Sequence, residues 1–446
     1  MPSVPSAGPE RPTPGEGEPA VPAAALAESV VAAEPAAALA DPAGTPSPDP
    51  AEQRVVVVGA SVAGISTAAA LRRGGHRGTI TLIGAEPHPP YDRPPLSKQI
   101  LAGQWEAGRI ALPPGDTLAE LDLDLRLGTA ATGLDLAART VGLDDGTAVP
   151  YDTLVIATGV RPRTVPGEGA HVLRTLDDAL RLRELIGPGR RLVVVGAGFL
   201  GTEAAAVARD RGADVVMVEP APVPLAAAVG EPVGAAIARA HRERGVDLRT
   251  GIGVASVAKD GVLLADGTVL DADAVLVAVG ARPNTEWLEG SGLTLGDGVC
   301  CDSRGLAAPA VYAAGDVARW HNPRYGVEMR VEHRTNAAEM AMAVAANILD
   351  PQAPRDFDPV LYFWSDQYDL RIQSVGYLRG HEEIDIVYGD LAGPAFVAAY
   401  RTGDRLAGVL AVGVSPRVLR PWRQAVTAGI GWDERGGVQA PAEGGR

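Results

Sequence analysis

The sequence predicts an α/β protein with two parallel-sheet modules, one inserted in the other, followed by a small C-terminal α+β domain. Three observations carry that reading. Residues 190–219 run from an apolar strand through the turn Gly196-Ala-Gly198-Phe199-Leu200-Gly201 into a helix, then a second strand ending on Glu219. A degenerate copy stands earlier, Val55-Val-Val-Val-Gly59-Ala-Ser61-Val-Ala-Gly64, followed by Thr79-Ile-Thr-Leu-Ile-Gly-Ala-Glu86. From about Phe357 the character changes to alternating strands, such as those at 370–376 and 395–400.

Taken in order, the first unit reads as strand 54–58, helix 64–73 and strand 79–83, the alternation of a parallel sheet covered on both faces. Asp144-Asp145-Gly146 and Asp266-Gly267 each mark a hairpin. Tyr151-Asp-Thr-Leu-Val-Ile-Ala-Thr158-Gly159 and Ala272-Asp-Ala-Val-Leu-Val-Ala-Val-Gly280 are matching apolar strands ending in small residues, so the architecture is duplicated. Residues 164–282 read as the inserted module, between 53–163 and 283–356 of the first. Ala310-Val-Tyr-Ala-Ala-Gly315-Asp316-Val317 adds a strand, a glycine and a carboxylate to that first module. The C-terminal domain spans 357–435. The Pro/Ala/Glu-rich stretch 1–52 reads as a disordered tail and 436–446 as a flexible end.

Composition narrows the function class. At 446 residues the chain exceeds one hydrophobic core. A formal charge of −15 argues against nucleic-acid binding, and the first 52 residues hold eight acids against one arginine. That tail has no basic n-region, and Glu28, Glu34 and Pro35 interrupt its most apolar part. Neither a secretory signal nor a membrane span is expected. The two cysteines, Cys300 and Cys301, are adjacent and fit neither a disulfide framework nor a metal site, as suits a reducing cytoplasm.

The glycine turns carry the chemistry. Gly196 permits the tight turn, Gly198 lets backbone N–H groups approach a pyrophosphate, and Gly201 lets the helix pack against its strand. The helix dipole then favours the negative charge. Glu219 lies 18 residues beyond Gly201, where a carboxylate can accept ribose hydroxyls and repel a 2′-phosphate. No arginine follows it in Pro220-Ala-Pro-Val-Pro, which favours NADH over NADPH, although a strand-end cap also fits Glu219. In the first copy Ser61 replaces the middle glycine, and its hydroxyl can itself bond a phosphate. Two such Rossmann-like sites mean two cofactors able to react together, which points to a flavin reduced by a nicotinamide.

Tyr91-Asp-Arg93-Pro94-Pro95-Leu96-Ser97-Lys98, Ala157-Thr158-Gly159, Gly196-Ala-Gly-Phe-Leu-Gly-Thr-Glu203, Ala314-Gly315-Asp316-Val317 and Phe363-Trp364-Ser365-Asp366-Gln367 resemble the FAD-dependent NADH:ferredoxin reductases. These flavoproteins serve bacterial cytochrome P450 and ring-hydroxylating dioxygenase systems. The resemblance covers about 53–435 and implies a glutathione-reductase-like fold. It assigns Gly59, Gly64, Glu86 and Ala131 to the adenosine and pyrophosphate of FAD. Arg93, Thr158, Gly159 and Arg163 would line its phosphates and ribityl chain, with Asp316 accepting a hydroxyl there. By position alone Asp316 is also an ordinary turn carboxylate. Gly280 ends the strand facing the second glycine turn and joins the NAD contacts.

The same resemblance implies that Lys98 pairs with Glu203 beside the isoalloxazine, Glu203 coming from the first turn of the second-module helix. A solvated lysine and a dipole-favoured acid remain the plainer readings. Trp364 and Tyr368 would cover the flavin face, although aromatics in such strands are commonly core. Where the family commonly carries a tryptophan this chain has Arg334. With Arg319, Arg324 and Arg330 it would grip an acidic partner, or else belong to a mixed solvated face. No cysteine lies between Tyr91 and Leu101, which excludes a disulfide reductase; Cys300 and Cys301 read as packing residues, and His333 as structural or exposed. An NADH oxidase or quinone reductase, and a redox sensor resembling the apoptosis-inducing factors, stand as alternatives.

Overall fold

The structure, a computed structural model, describes residues 49–113 and 117–439. The expected tail lies outside these residues up to 48, and the expected flexible end lies outside them from 440. Residues 49–52 are not a tail. The Ala51 carbonyl accepts the N–H groups of Arg77 and Gly78, and the Pro50 carbonyl lies 3.2 Å from His76 Nδ1. At the other end the 3-10 turn Trp432–Gly437 runs past 435, and Val438 packs on the C-terminal core.

The chain is α/β. Its first large sheet has the order Leu306–Ala308, Val311–Ala313, Thr153–Ile156, Val55–Val58, Ile80–Gly84, Asp124–Leu127. All pairings but the edge one are parallel, with Val55 in register with both Ile80 and Thr153. Val55–Val58 is buried at every residue, as a central strand covered on both faces must be. Helix Val62–Arg73 packs on one face together with helix Arg334–Leu349.

The second sheet, Asp247–Thr250, Asp214–Glu219, Arg191–Val195, Ala274–Val277, is wholly parallel. Its order repeats that of the four strands from Asp124–Leu127 to Thr153–Ile156 in the first sheet. Each module also carries a three-stranded antiparallel meander, Ala131–Asp135 to Ala148–Pro150 and Val254–Ala258 to Val269–Asp271. The duplication therefore extends to the accessory strands. Between the modules Val160–Pro162 and Ala281–Pro283 run antiparallel, so the chain leaves the first module and returns to it side by side.

The C-terminal α+β unit is a five-stranded antiparallel sheet with helix Pro416–Ala428. Strand Phe396–Thr402 shows its alternation clearly. Val397 and Ala399 face that helix, while Phe396, Ala398 and Tyr400 face Val229, Val233 and Ile237 of the second module. Tyr91, Leu96, Ile100 and Leu101, although they follow the first module's second strand, are buried with Val194, Ala204 and Ala208 of the second. That packing pins the Pro94–Ser97 turn against helix Phe199–Asp210, and so sets up the site.

Candidate functional site

The two glycine turns are built alike. Gly59 and Gly196 take positive φ, +120° and +99°, and a Cβ on either would lie 2.1 Å from the Ala157 carbonyl or 2.5 Å from that of Ala278. A Cβ on Gly64 would meet the Gly59 carbonyl at 1.8 Å, and one on Gly201 the Gly196 carbonyl at 2.1 Å. These glycines let helix and strand touch. Gly198 differs: among the described residues a Cβ there meets nothing within 4 Å, so the space they leave over the loop is open. Ser61 occupies the matching position with a side chain that does not cap its helix and instead accepts from Arg93 Nε at 3.3 Å. The open loop at Gly198, and at Ser61 a hydroxyl that makes no cap bond and still has its proton to donate, fit two pyrophosphates.

Between the modules and the C-terminal sheet lies a cavity of about 300 Å³. Ser61, Arg93, Gly159, Asp316 and Trp364 line it, as do Phe199, Leu200, Lys98 and Glu203 from the second turn and its partner. Lys98 Nζ lies 2.5 Å from Glu203 Oε2, and the two side chains are only 11% and 7% exposed. Glu203 is the fifth residue of helix Phe199–Asp210, so it stands one turn inside the helix and not in the first turn. Its carboxylate also accepts from Ser97 Oγ on Oε2 and from Ser365 Oγ on Oε1, each at 2.6 Å. Lys98 donates to the Pro94 carbonyl as well, at 3.2 Å. Lys98 is not the solvated lysine, and Glu203 not the first-turn acid, of the plainer readings.

At the far wall, burial raises the Asp316 carboxyl above its usual range, with Arg174 at 3.5 Å opposing. Arg174 is a cavity residue that the motifs did not reveal. Glu86 accepts from Arg93 Nη2 at 2.7 Å and from the Tyr91 hydroxyl at 2.5 Å, which ties the end of strand Ile80–Gly84 to the cavity. Thr158 donates through Oγ1 to the Asn284 carbonyl, and Asn284 Nδ2 returns a bond to the Thr158 carbonyl, both at 2.9 Å. Asn284 thus fastens the two connecting strands.

Other expected residues sit apart. Glu219 lies over the second turn, its oxygens accepting from Ala197 N at 2.7 Å and Ala221 N at 2.9 Å. Gly280 follows the strand beside that turn, with φ +93°. Ala131 opens the first meander opposite Leu143. Arg163 is exposed on the connecting ribbon and donates to the Ala281 carbonyl, so the structure does not bring it to the cavity. Gly315 lies behind the cavity wall: with φ +78° it packs so close to the lining residue Ala63 that a Cβ would lie 2.8 Å from the alanine Cβ.

Tyr368 is a correction. It packs against His241 and beneath Arg244, away from the cavity, while Phe363 takes its place in the wall. His333 is neither exposed nor simply structural. It lines the cavity against Phe363, its Nδ1 has no partner among the described residues, and burial lowers its pKa to about 4. Arg334 pairs with Asp92 at 3.1 Å, Arg330 with Asp297 and Glu332, and Arg324 with Asp358. Each of these three arginines is thus paired within the chain, and Arg334 also lines the cavity. Burial raises both cysteine thiols, consistent with packing residues. Among the described residues there is no His/Cys/Asp/Glu group that could hold a metal ion, and no helix long and apolar enough to cross a membrane.

Comparison with known proteins agrees with this geometry. The family described as pyridine nucleotide-disulphide oxidoreductase matches residues 53–341, and the reductase C-terminal family matches 362–436. Putidaredoxin reductase of Pseudomonas putida is 38% identical over 375 residues, covering 80% of this chain and 88% of that protein. Rhodocoxin reductase of Rhodococcus erythropolis is 36% identical over 370 residues, covering 80% and 86%. The crystal structure of the covalent putidaredoxin reductase–putidaredoxin complex matches with a TM-score of 0.79 at 35% identity, covering 87% of this chain and 94% of that one. A crystal structure of Fdr9 matches at 0.81 and 41%, covering 87% and 100%. The chain belongs to the pyridine nucleotide-disulphide oxidoreductase family, as one of its FAD- and NAD(P)H-using ferredoxin reductases.

Proposed function

We propose that this chain is a cytoplasmic enzyme that oxidises NADH and passes single electrons to an iron–sulfur ferredoxin serving a cytochrome P450 or a ring-hydroxylating dioxygenase. The observation that carries the reading is the Lys98–Glu203 pair, buried in a cavity that both nucleotide modules and the C-terminal sheet build together. When bound, FAD supplies the redox chemistry, taking a hydride from the nicotinamide and returning electrons one at a time. The residues contribute position, exclusion of water and charge.

Gly59, Ser61 and Gly64 would hold the FAD pyrophosphate at the N-terminus of helix Val62–Arg73, with Glu86 and Ala131 toward the adenosine. Arg93, Thr158, Gly159, Gly315 and Asp316 would follow the chain toward the ring, which Trp364 would cover. Arg163, on its exposed ribbon, has no part in this arrangement. Gly196, Gly198, Phe199, Leu200, Gly201 and Gly280 would seat NADH, and Glu219 would accept from its ribose. The Lys98 ammonium, held by Glu203, would set positive charge beside the ring. In a site with little water such a charge contributes on the order of a few kcal/mol.

Steady-state reduction of a [2Fe–2S] ferredoxin tests the reading. Turnover with NADH far above that with NADPH is expected; ferredoxin-independent turnover to oxygen or a quinone would replace it with the oxidase alternative.

A further inference from the structure

We infer that Ser365, Gln367 and His241 are a positioning chain that fixes the Glu203 carboxylate and, through it, the Lys98 ammonium. The inference rests on the proposed role of that pair. Four hydrogen bonds run in one direction. The Tyr368 hydroxyl lies 3.2 Å from His241 Nδ1, and His241 Nε2 lies 3.0 Å from Gln367 Oε1. Gln367 Nε2 donates to Ser365 Oγ at 3.2 Å, and Ser365 Oγ donates to Glu203 Oε1 at 2.6 Å. Because the Gln367 amide nitrogen faces Ser365, its oxygen faces His241 and must accept. The ring therefore carries its proton on Nε2, which leaves Nδ1 to accept from Tyr368. Every donor points toward the carboxylate.

His241, Gln367 and Ser365 are each fully buried. Desolvation holds the His241 pKa below the usual imidazole value, with the Arg244 charge adding to it and Gln367 opposing. A neutral ring donates to Gln367 and accepts from Tyr368 at once, so the tyrosine proton also points along the chain; only a charged ring would reverse that first bond, with the phenol oxygen accepting. Buried amide and hydroxyl groups without partners are costly, so this arrangement has one low-energy orientation. Bonds aligned in this way also polarise one another.

The chain joins three parts of the fold. His241 lies on helix Glu231–Glu243 and Glu203 on helix Phe199–Asp210 of the second module. Ser365 and Gln367 lie on C-terminal strand Tyr362–Gln367, and Lys98 and Ser97 come from the turn after the first module's second strand. Lys98 and Ser97 hold Oε2, and the chain holds Oε1, so neither carboxylate oxygen is free to rotate away.

The test compares Ser365→Ala, Ser365→Thr, Gln367→Leu and Glu203→Gln in the FAD-loaded protein. It measures the midpoint potential of the bound flavin by dye equilibration, alongside single-turnover reduction by NADH and thermal melting. Ser365→Ala should move the potential in the same direction as Glu203→Gln and slow reduction about tenfold, the size of one hydrogen bond to a charged group, without changing NADH affinity. Ser365→Thr, which keeps the hydroxyl, should restore both. Adding Ser365→Ala to Glu203→Gln should change nothing further, since the chain acts only through that carboxylate. Should Gln367→Leu fail to fold, Ser365→Ala still decides. If Glu203→Gln moves the potential while Ser365→Ala and Gln367→Leu alter only the melting temperature, the positioning role is overturned and the Lys98–Glu203 reading stands. If Glu203→Gln leaves the potential unmoved, that reading fails and takes this inference with it.

Discussion

Lys98 Nζ and Glu203 Oε2 lie 2.5 Å apart although their residues are 105 positions apart in sequence and come from different nucleotide modules. The contact exists because Leu96, Ile100 and Leu101 are buried in the second module's core, beside Ala204 and Ala208 of the helix that carries Glu203. Apolar packing therefore brings two charges together in a place with little water.

Lys98→Ala should slow reduction by NADH about a hundredfold, the order of loss seen when one preorganised charge is removed from a reacting centre. It should also cost about 3 kcal/mol of stability, because Glu203 stays buried with Ser97 and Ser365 as its remaining side-chain donors among the described residues. Stopped-flow absorbance and denaturant unfolding measure the two effects. An unchanged hydride-transfer rate would remove Lys98 from the mechanism.

Glu219→Ala should weaken NADH about tenfold or more while FAD remains bound, since Glu219 lies over the second glycine turn alone. Calorimetric titration of each variant with NADH gives the comparison. Equal affinity would mean that Glu219 only caps the Ala197 and Ala221 N–H groups.

The second turn separates a glycine needed by the fold from one needed by the ligand. Gly201→Ala places a Cβ 2.1 Å from the Gly196 carbonyl and should destabilise the protein by about 1–3 kcal/mol. Gly198→Ala meets no atom of the described residues within 4 Å and should stay within about 0.5 kcal/mol of the parent while losing NADH affinity. Melting curves and NADH titrations distinguish the two; equal destabilisation would contradict the assignment.

Acid should weaken the fold through His333. Its folded pKa of about 4, against 6.5 for an unperturbed imidazole, comes from burial in the cavity wall and secondarily from the Arg379 charge. The unfolded chain binds more protons between those values, so stability falls as pH drops from 6.5 toward 4, by up to about 1.4 kcal/mol per pH unit, and levels off below. His333→Phe removes this dependence. Relative to the parent it should gain about 2–3 kcal/mol between about pH 7 and about pH 4.5 in urea unfolding; a constant difference would show that His333 does not titrate there.

Much of this was legible in the sequence because it is written locally. Val55–Val58 and Arg191–Val195 announce buried parallel strands, and the glycines after them announce close backbone contact. Lys98 and Glu203 were found through the motifs that surround them. Arg174, His333, Ser365 and His241 were not, because they enter the site by packing between distant segments; Ser365 and Glu203 are 162 residues apart. One local signal existed. Ser365 and Gln367 share a strand face with Phe363, and two polar side chains on an inward face mark a buried network. Arg163 went the other way. The family resemblance implied a contact to the flavin phosphates or ribityl chain, but the chain turns there into the connecting ribbon and carries the side chain outward.

The most direct test is anaerobic stopped-flow absorbance of the FAD-loaded protein mixed with NADH and then with an oxidised [2Fe–2S] ferredoxin. Rapid bleaching of the flavin followed by fast ferredoxin reduction is the expected result. Slow bleaching that stops at a long-lived charge-transfer band, with no electrons reaching the ferredoxin, would contradict the reductase reading and favour a redox sensor.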